Sequence, residues 1–340
     1  ATDSLSAARG TVGAEVVIGG PFQNLRYEGC VTPHLGASVT PRALGQAVRF
    51  TQGAACLSAS SQVPEENVLE VQGLRAQIDD GWAFVDGTVR IAHLFDSRDI
   101  EFRRWDLRAE AEDLRFARGR QSIAGGLALT LNGNAELPRL SGTVRINEGE
   151  LRDSFELKNF YLEKESGEPS APLHQQLAPV GLSNLDLDVD VTIADLRVRA
   201  DVATIRLDST LRGELHVDDS VRVPQLTGLI DVSEGNFIFP YANFEIQQPE
   251  IEFPRRPDGR VNPDIYVLAR GDLEPPRTGL DAEVECALTL DGDLDRLVLN
   301  LDVDDAGDEY DRTTILRYIL FGAPLSTGRN YEGDAAARAG

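Results

Sequence analysis

PRLSGTVRINEGEL at 138–151 and PQLTGLIDVSEGNF at 224–237 carry one pattern twice, 86 residues apart. Pro138/Pro224, Leu140/Leu226, Ser141/Thr227, Gly142/Gly228, Val144/Ile230, Ile146/Val232, Glu148/Glu234 and Gly149/Gly235 recur in the same order. β-Branched residues two apart mark an extended strand in which alternate side chains share a face. A repeat of such strands predicts units stacked along one axis, each touching its neighbours. VDGTVRI at 85–91 echoes the GTVRI of 142–146 and predicts an earlier, degenerate unit.

Outward from the repeats, the alternation sharpens. In LDLDVDVTI (185–193) Leu185, Leu187, Val189, Val191 and Ile193 fall on one face, and Asp186, Asp188, Asp190 and Thr192 on the other. LDAEVECALTL (280–290) and the stretch 297–303 repeat this two-faced pattern. Parallel strands buried on both faces would instead read as continuous apolar runs. At each Glu-Gly pair the apolar parity changes: even at Val144, Ile146, Ile230 and Val232, odd at Leu151, Phe155, Leu157, Phe237 and Phe239. A glycine bulge or tight turn is the expected device. Glu148 and Glu234 read as solvated bulge residues rather than acid/base carboxylates, since no His, Lys or Ser recurs beside them.

Toward the end the period lengthens to about four. Asp311 is placed to cap a helix, Ile315, Leu316, Ile319 and Leu320 form its apolar stripe, and Gly322 and Pro324 stop it. The sequence therefore predicts an all-β chain with one short C-terminal amphipathic helix. Its expected divisions are a degenerate repeat portion at 1–100, a repeat unit at 101–165, a Pro/Ser/Glu/Gln-rich loop or insertion at 166–184, a regular β region at 185–325 and a disordered tail at 326–340.

Composition narrows function. Among 340 residues, 31 are Gly, only 6% are aromatic and none is Met, which suits short strands and turns, and an excised or processed piece. A net charge of −23 repels phosphate backbones, so nucleic-acid binding is not expected. No apolar run is long enough to span a bilayer, and any membrane anchor is expected outside this chain. Cys30 and Cys56 can pair or remain buried thiols, while Cys286 reads as a small apolar residue in a strand.

Catalytic patterns are missing. GxSxG, GxxxxGK[ST] and GxGxxG do not occur, and His34, His93, His174 and His216 are scattered. Asp291, Asp293 and Asp295 have alternate spacing but lack the Gly and terminal Glu of a calcium loop, so they read as a solvated turn. No cofactor or metal is implied, and the chain reads as a non-enzyme; a β-solenoid polysaccharide enzyme would want an Asn ladder or a placed base. What remains is a two-faced sheet with few helices to cover it. Either two sheets close on one another, or one sheet curls around an apolar lining.

Several blocks in order resemble a known family. LDLDVDV at 185–191, PQLTGLIDVSEGNFIF at 224–239, FEIQQPEIEFP at 244–254, NPDIYVLARG at 262–271 and ILRYILFGAPL at 315–325 are similar to the C-terminal domain of TamB, the translocation and assembly module subunit. That domain lies within the AsmA-like superfamily. WDLRAEAEDLRF (105–116) and LTLNGNAELPRLSG (129–142) resemble its preceding unit, and the likeness runs over about 85–325. The resemblance implies an elongated, curved, mostly antiparallel sheet, a β-taco with an apolar groove, in the bacterial periplasm and anchored in the inner membrane. It implies a bridge that conducts phospholipid acyl chains between inner and outer membranes, or alternatively a scaffold for barrel or autotransporter insertion with a TamA-like outer-membrane barrel partner. Alternation then assigns the groove lining to Leu185, Leu187, Val189, Val191, Ile193, Ile230, Val232, Phe237, Phe239, Val284, Leu288, Leu299 and Leu301. About 25 strands at about 4.8 Å would carry such a groove on the order of 100 Å.

Overall fold

The computed structural model describes residues 5–21, 25–41, 46–60, 67–94, 101–118, 121–155, 182–202, 205–256, 261–273, 284–293, 296–303 and 312–321. Residues 166–181 of the loop predicted at 166–184, the tail, and the helix-flanking Asp311, Gly322 and Pro324 lie outside the described residues.

The described strands join in one sheet of 17. In chain order they are β1 (Leu5–Arg9), β2 (Val12–Gly19), β3 (Arg26–Pro33), β4 (Ser38–Pro41), β5 (Val48–Ser60), β6 (Asn67–Ile78), β7 (Gly81–Ala92), β8 (Glu101–Arg118) and β9 (Gln121–Asn134). There follow β10 (Pro138–Phe155), β11 (Asp186–Val202), β12 (Ile205–Ser220), β13 (Gln225–Phe239), β14 (Ala242–Phe253), β15 (Asp264–Leu273), β16 (Val284–Asp293) and β17 (Val298–Val303). One helix, α1 (Arg312–Phe321), completes the described elements.

The sheet is an open meander. From β5 to β17 each strand pairs with the next, antiparallel everywhere except β10 with β11. At the other end β3 and β4 share β5, β3 along its second half and β4 along its start, while β2 pairs β3 and β1 pairs β4. Among the described residues the strands number 17, against the about 25 expected for the chain, and several are long. β8 and β10 each have 18 residues. Counted across, the described strands from β2 to β17 span about 65–70 Å at about 4.8 Å per strand.

Parallel neighbours cannot be joined by a hairpin. Arg139 pairs with Asp186 and Phe155 with Val202, so the chain must return the whole strand length between β10 and β11. The Pro/Ser/Glu/Gln-rich stretch predicted at 166–184 lies between these two parallel strands.

Bulges cross the sheet in a line. Extra residues interrupt pairing at Glu112 and Asp113 of β8, Asn147 of β10, Ala194 and Asp195 of β11, Ser233 of β13 and Gln247 of β14. From β8 to β14 each lies within two register positions of the next. A bulge bends its strand and raises local twist, so a line of them creases a broad sheet. Side chains pair with backbone groups where the ladder breaks: Arg212 Nε donates to the Ala194 carbonyl at 3.1 Å, Ser233 Oγ to the Thr210 carbonyl at 3.3 Å, and Thr51 Oγ1 to the Arg75 carbonyl at 3.2 Å.

The parity change foreseen at each Glu-Gly pair is a bulge, but its extra residue is Asn147 or Ser233, ahead of the glutamate. Gly149 and Gly235 instead leave room for Leu196 and Ile246, whose methyls lie 2.6 and 2.7 Å from where a Cβ would stand. The stricter glycines are Gly87, Gly142 and Gly228, with φ of 131°, 136° and 131°. A Cβ there would meet a neighbouring strand's carbonyl oxygen at 2.1–2.2 Å. The three echoed segments thus share one backbone geometry, closed to side chains.

Candidate functional site

Register connects the apolar residues into one surface. Val189 pairs with Val217, Val191 with Leu215 and Ile193 with Gly213; Val217 then pairs with Leu226, Gly213 with Ile230, Leu211 with Val232 and Leu207 with Phe237. Directly paired residues share a face. Extended through Phe237–Phe244, Ile246–Ala269, Ala269–Leu288, Leu288–Leu301 and Leu290–Leu299, the chain of pairs covers β11 to β17. Leu187, Val189, Val191, Ile193, Ile230, Val232, Phe237, Phe239, Leu288, Leu299 and Leu301 all fall on it. Leu185 precedes β11 and is buried, and Val284 holds the same-face register position opposite Leu273.

Their environments differ. Leu185, Val189, Ile193 and Val232 are buried, Leu187, Val191, Ile230 and Phe237 half-buried, and Leu299 is 42% exposed. Phe239, Leu288 and Leu301, assigned to the groove lining by alternation, are covered. They form a cluster with Phe244, Ala269, Cys286 and the α1 residues Ile315 and Ile319, with Tyr318 and Leu320 packed around it. The helix is seated on the apolar face. Burying Ile315 and Ile319 contributes about 3–6 kcal/mol. A ten-residue helix is below the about 12–15 residues that isolated helices need, and α1 has no acid in its first turn or base in its last. Packing, rather than propensity, therefore holds it.

Further residues join this surface without having been assigned to it. Trp105 is 3% exposed and packs with Val89, Ile91, Leu107 and Leu131. Leu114 and Leu196 are buried on the same face but stand beyond bulges, where counting by twos fails. Phe244 could have been found: it begins the alternation of FEIQQPEIEF and is fully buried. Two buried polar residues interrupt the surface among those described: Ser209, between Leu207 and Leu211 in β12, and Asn67, whose Oδ1 accepts from the Ser60 amide at 3.0 Å.

The opposite face is ionic. Arg139 reaches Asp188 at 2.6 Å and Asp186 at 3.7 Å; Arg197 grips Asp208 through two bonds of 2.9 and 3.0 Å; Arg199 links Asp208 to Glu150. The hydrogen bond from Arg139 holds the Asp188 carboxyl below its ordinary value, and that from Arg197 does the same for Asp208. His216 lies 2.8 Å from Asp190 across β11 and β12. These exposed pairs keep one face wetted and fix cross-strand register, while each adds little stability.

The ordered apolar face, its glycine geometry and the terminal helix coincide with a known domain: the family described as the TamB C-terminal domain matches residues 72–340. The chain belongs to that family. Among curated proteins, none matches it. The TamB match begins within β6 and leaves β1 to β5 outside. TamB membership sets the chain in the context of outer-membrane assembly or lipid transport, and points to the periplasm. Cys30 and Cys56, paired across β3 and β5, form a disulfide, which suits an oxidising compartment. No described helix of this TamB domain is long and apolar enough to cross a membrane.

Proposed function

We propose that the apolar face is a conduit for phospholipid acyl chains between the inner and outer membranes, with charged headgroups kept at its open side. One observation carries this reading: the register places apolar residues on a single face across β11 to β17, while the facing positions carry paired charges. Two acyl chains hold on the order of 30 methylenes, and at about 0.8 kcal/mol each their passage through water would cost roughly 24 kcal/mol. A continuous apolar floor removes most of that barrier. The reading assigns no reaction to the chain.

Photo-crosslinking tests it. A photoreactive side chain at Val191 is expected to capture phospholipid, one at Asp190 or Glu214 is not, and native mass spectrometry of the purified chain should show bound phospholipid. Equal labelling of both faces would end the proposal.

A second reading draws on the sheet's edge. Among the described residues β2 pairs only with β3, and its Val12, Val16, Val17 and Ile18 are 57–66% exposed. Such an edge is suited to strand addition by a barrel precursor or by a TamA-like barrel partner. Crosslinking of peptide at Val16 without copurifying lipid would favour it.

A further inference from the structure

Among the described elements, α1 alone lies upon the apolar face rather than within the sheet. It conceals Leu288, Leu301 and Cys286, exposed by 1%, 3% and 0%, whereas Val12, Val16 and Ile18 leave the same face open at the far end. The seat is made for hydrocarbon: two isoleucine side chains, with Phe239 and Phe244 edge to face beside them at 5.4 Å. The helix is also separable. It is short, lacks charges that would stabilise its ends, and leaves Phe321 72% exposed.

We propose that α1 is a displaceable plug, whose isoleucines occupy the seat that an alkyl chain of an amphiphile takes when the conduit is loaded. The inference rests on the conduit reading. Undocked, α1 lacks what holds it helical, so release and local unfolding are one step. Loading then shifts the equilibrium only insofar as the alkyl chain binds the open form better. The apolar face is thereby closed at β13 to β17 until a ligand competes for it.

The chain contains its own reporter. Of three cysteines, two form the disulfide, so Cys286, beneath α1, is the one that stands outside it. Maleimide labelling of the full wild-type chain across low urea is expected to proceed by local opening, at a rate nearly independent of urea until the sheet melts. Ile319→Ser should accelerate it at least tenfold with the β-sheet circular dichroism retained. Labelling of the wild-type chain that simply tracks global unfolding would overturn the proposal, whatever the variant does.

A phosphatidylethanolamine with a diazirine in its acyl chain supplies the second arm, its adducts located by peptide mass spectrometry. Adducts in β16 and β17, measured against those in β11, are expected to rise at least threefold in Ile319→Ser. If β11 is labelled and Cys286 has opened, yet β16 and β17 gain nothing, the plug fails and the conduit stands. If no apolar-face peptide is labelled in either protein, the conduit fails and takes the plug with it.

Discussion

The two ends of this sheet solve the same problem differently. At β13 to β17 the apolar face is covered by α1 and reaches full burial at Phe244, Ala269 and Cys286. At β2 and β3 it stands open at Val12, Val16, Ile18 and Val31, and a disulfide ties neighbouring strands. The covered end gains its order from hydrophobic burial, the open end from a covalent link and backbone pairing. The family match includes the first and omits the second. A surface of one chemistry can thus be a core at one place and an accessible floor at another, depending only on what lies over it.

The largest effect expected is at the covered end. Leu288→Asp would bury an unpaired carboxylate and should cost about 4–5 kcal/mol in urea melts, while Val16→Asp at the open end should stay within about 0.5 kcal/mol. Similar costs at both sites would break the comparison. Next, removing the Cys30–Cys56 link, which closes a 26-residue separation, should cost about 3 kcal/mol. The loss should appear as proteolysis around β3 to β5, with Cys286 still shielded; loss of that shielding would mean that the ends are one cooperative unit.

A smaller contrast lies in glycine. Gly142→Ala is expected to destabilise by about 2 kcal/mol, because it strains the backbone as well as meeting the Ala128 carbonyl. Gly19→Ala, with nothing within 4 Å of its Cβ, should be neutral or slightly stabilising. The smallest effect concerns acid. Asp188 and Asp208 have folded values below the ordinary 3.8, so their contribution is present above that pH and disappears as pH falls through the lowered values. Asp208→Asn should flatten the acid limb of a stability–pH profile and cost below about 1 kcal/mol at neutral pH.

Much of this arrangement could be read from residues. Alternation at 185–193 located β11 and its apolar face, Ile315 and Ile319 located the buried stripe of α1, and the echo of GTVRI at 85–91 led to a third glycine of the same geometry. Other features escaped because they depend on a neighbour. Asn147 and Ser233 carry no mark of a bulge; the adjacent strand decides which residue is extra. Leu196 changes face only after two bulged residues, so counting by twos from Ile193 misses it. That α1 folds back over Leu288 and Leu301 is a matter of long-range packing, invisible in the period of either segment. The length of single strands escaped too: β8 and β10 run 18 residues without a turn, although the composition suits short strands.

The single parallel step has a mechanical consequence. Tension along the chain would enter an antiparallel hairpin such as β11–β12 at one end of the pair, pulling its rungs apart one after another. Across β10 and β11 it would enter at Pro138 and leave at Val202, opposite ends of two strands in register from Arg139 to Phe155. Those rungs would bear the load together, in shear. Under a pull along the chain, this seam is where the meander would resist being drawn out.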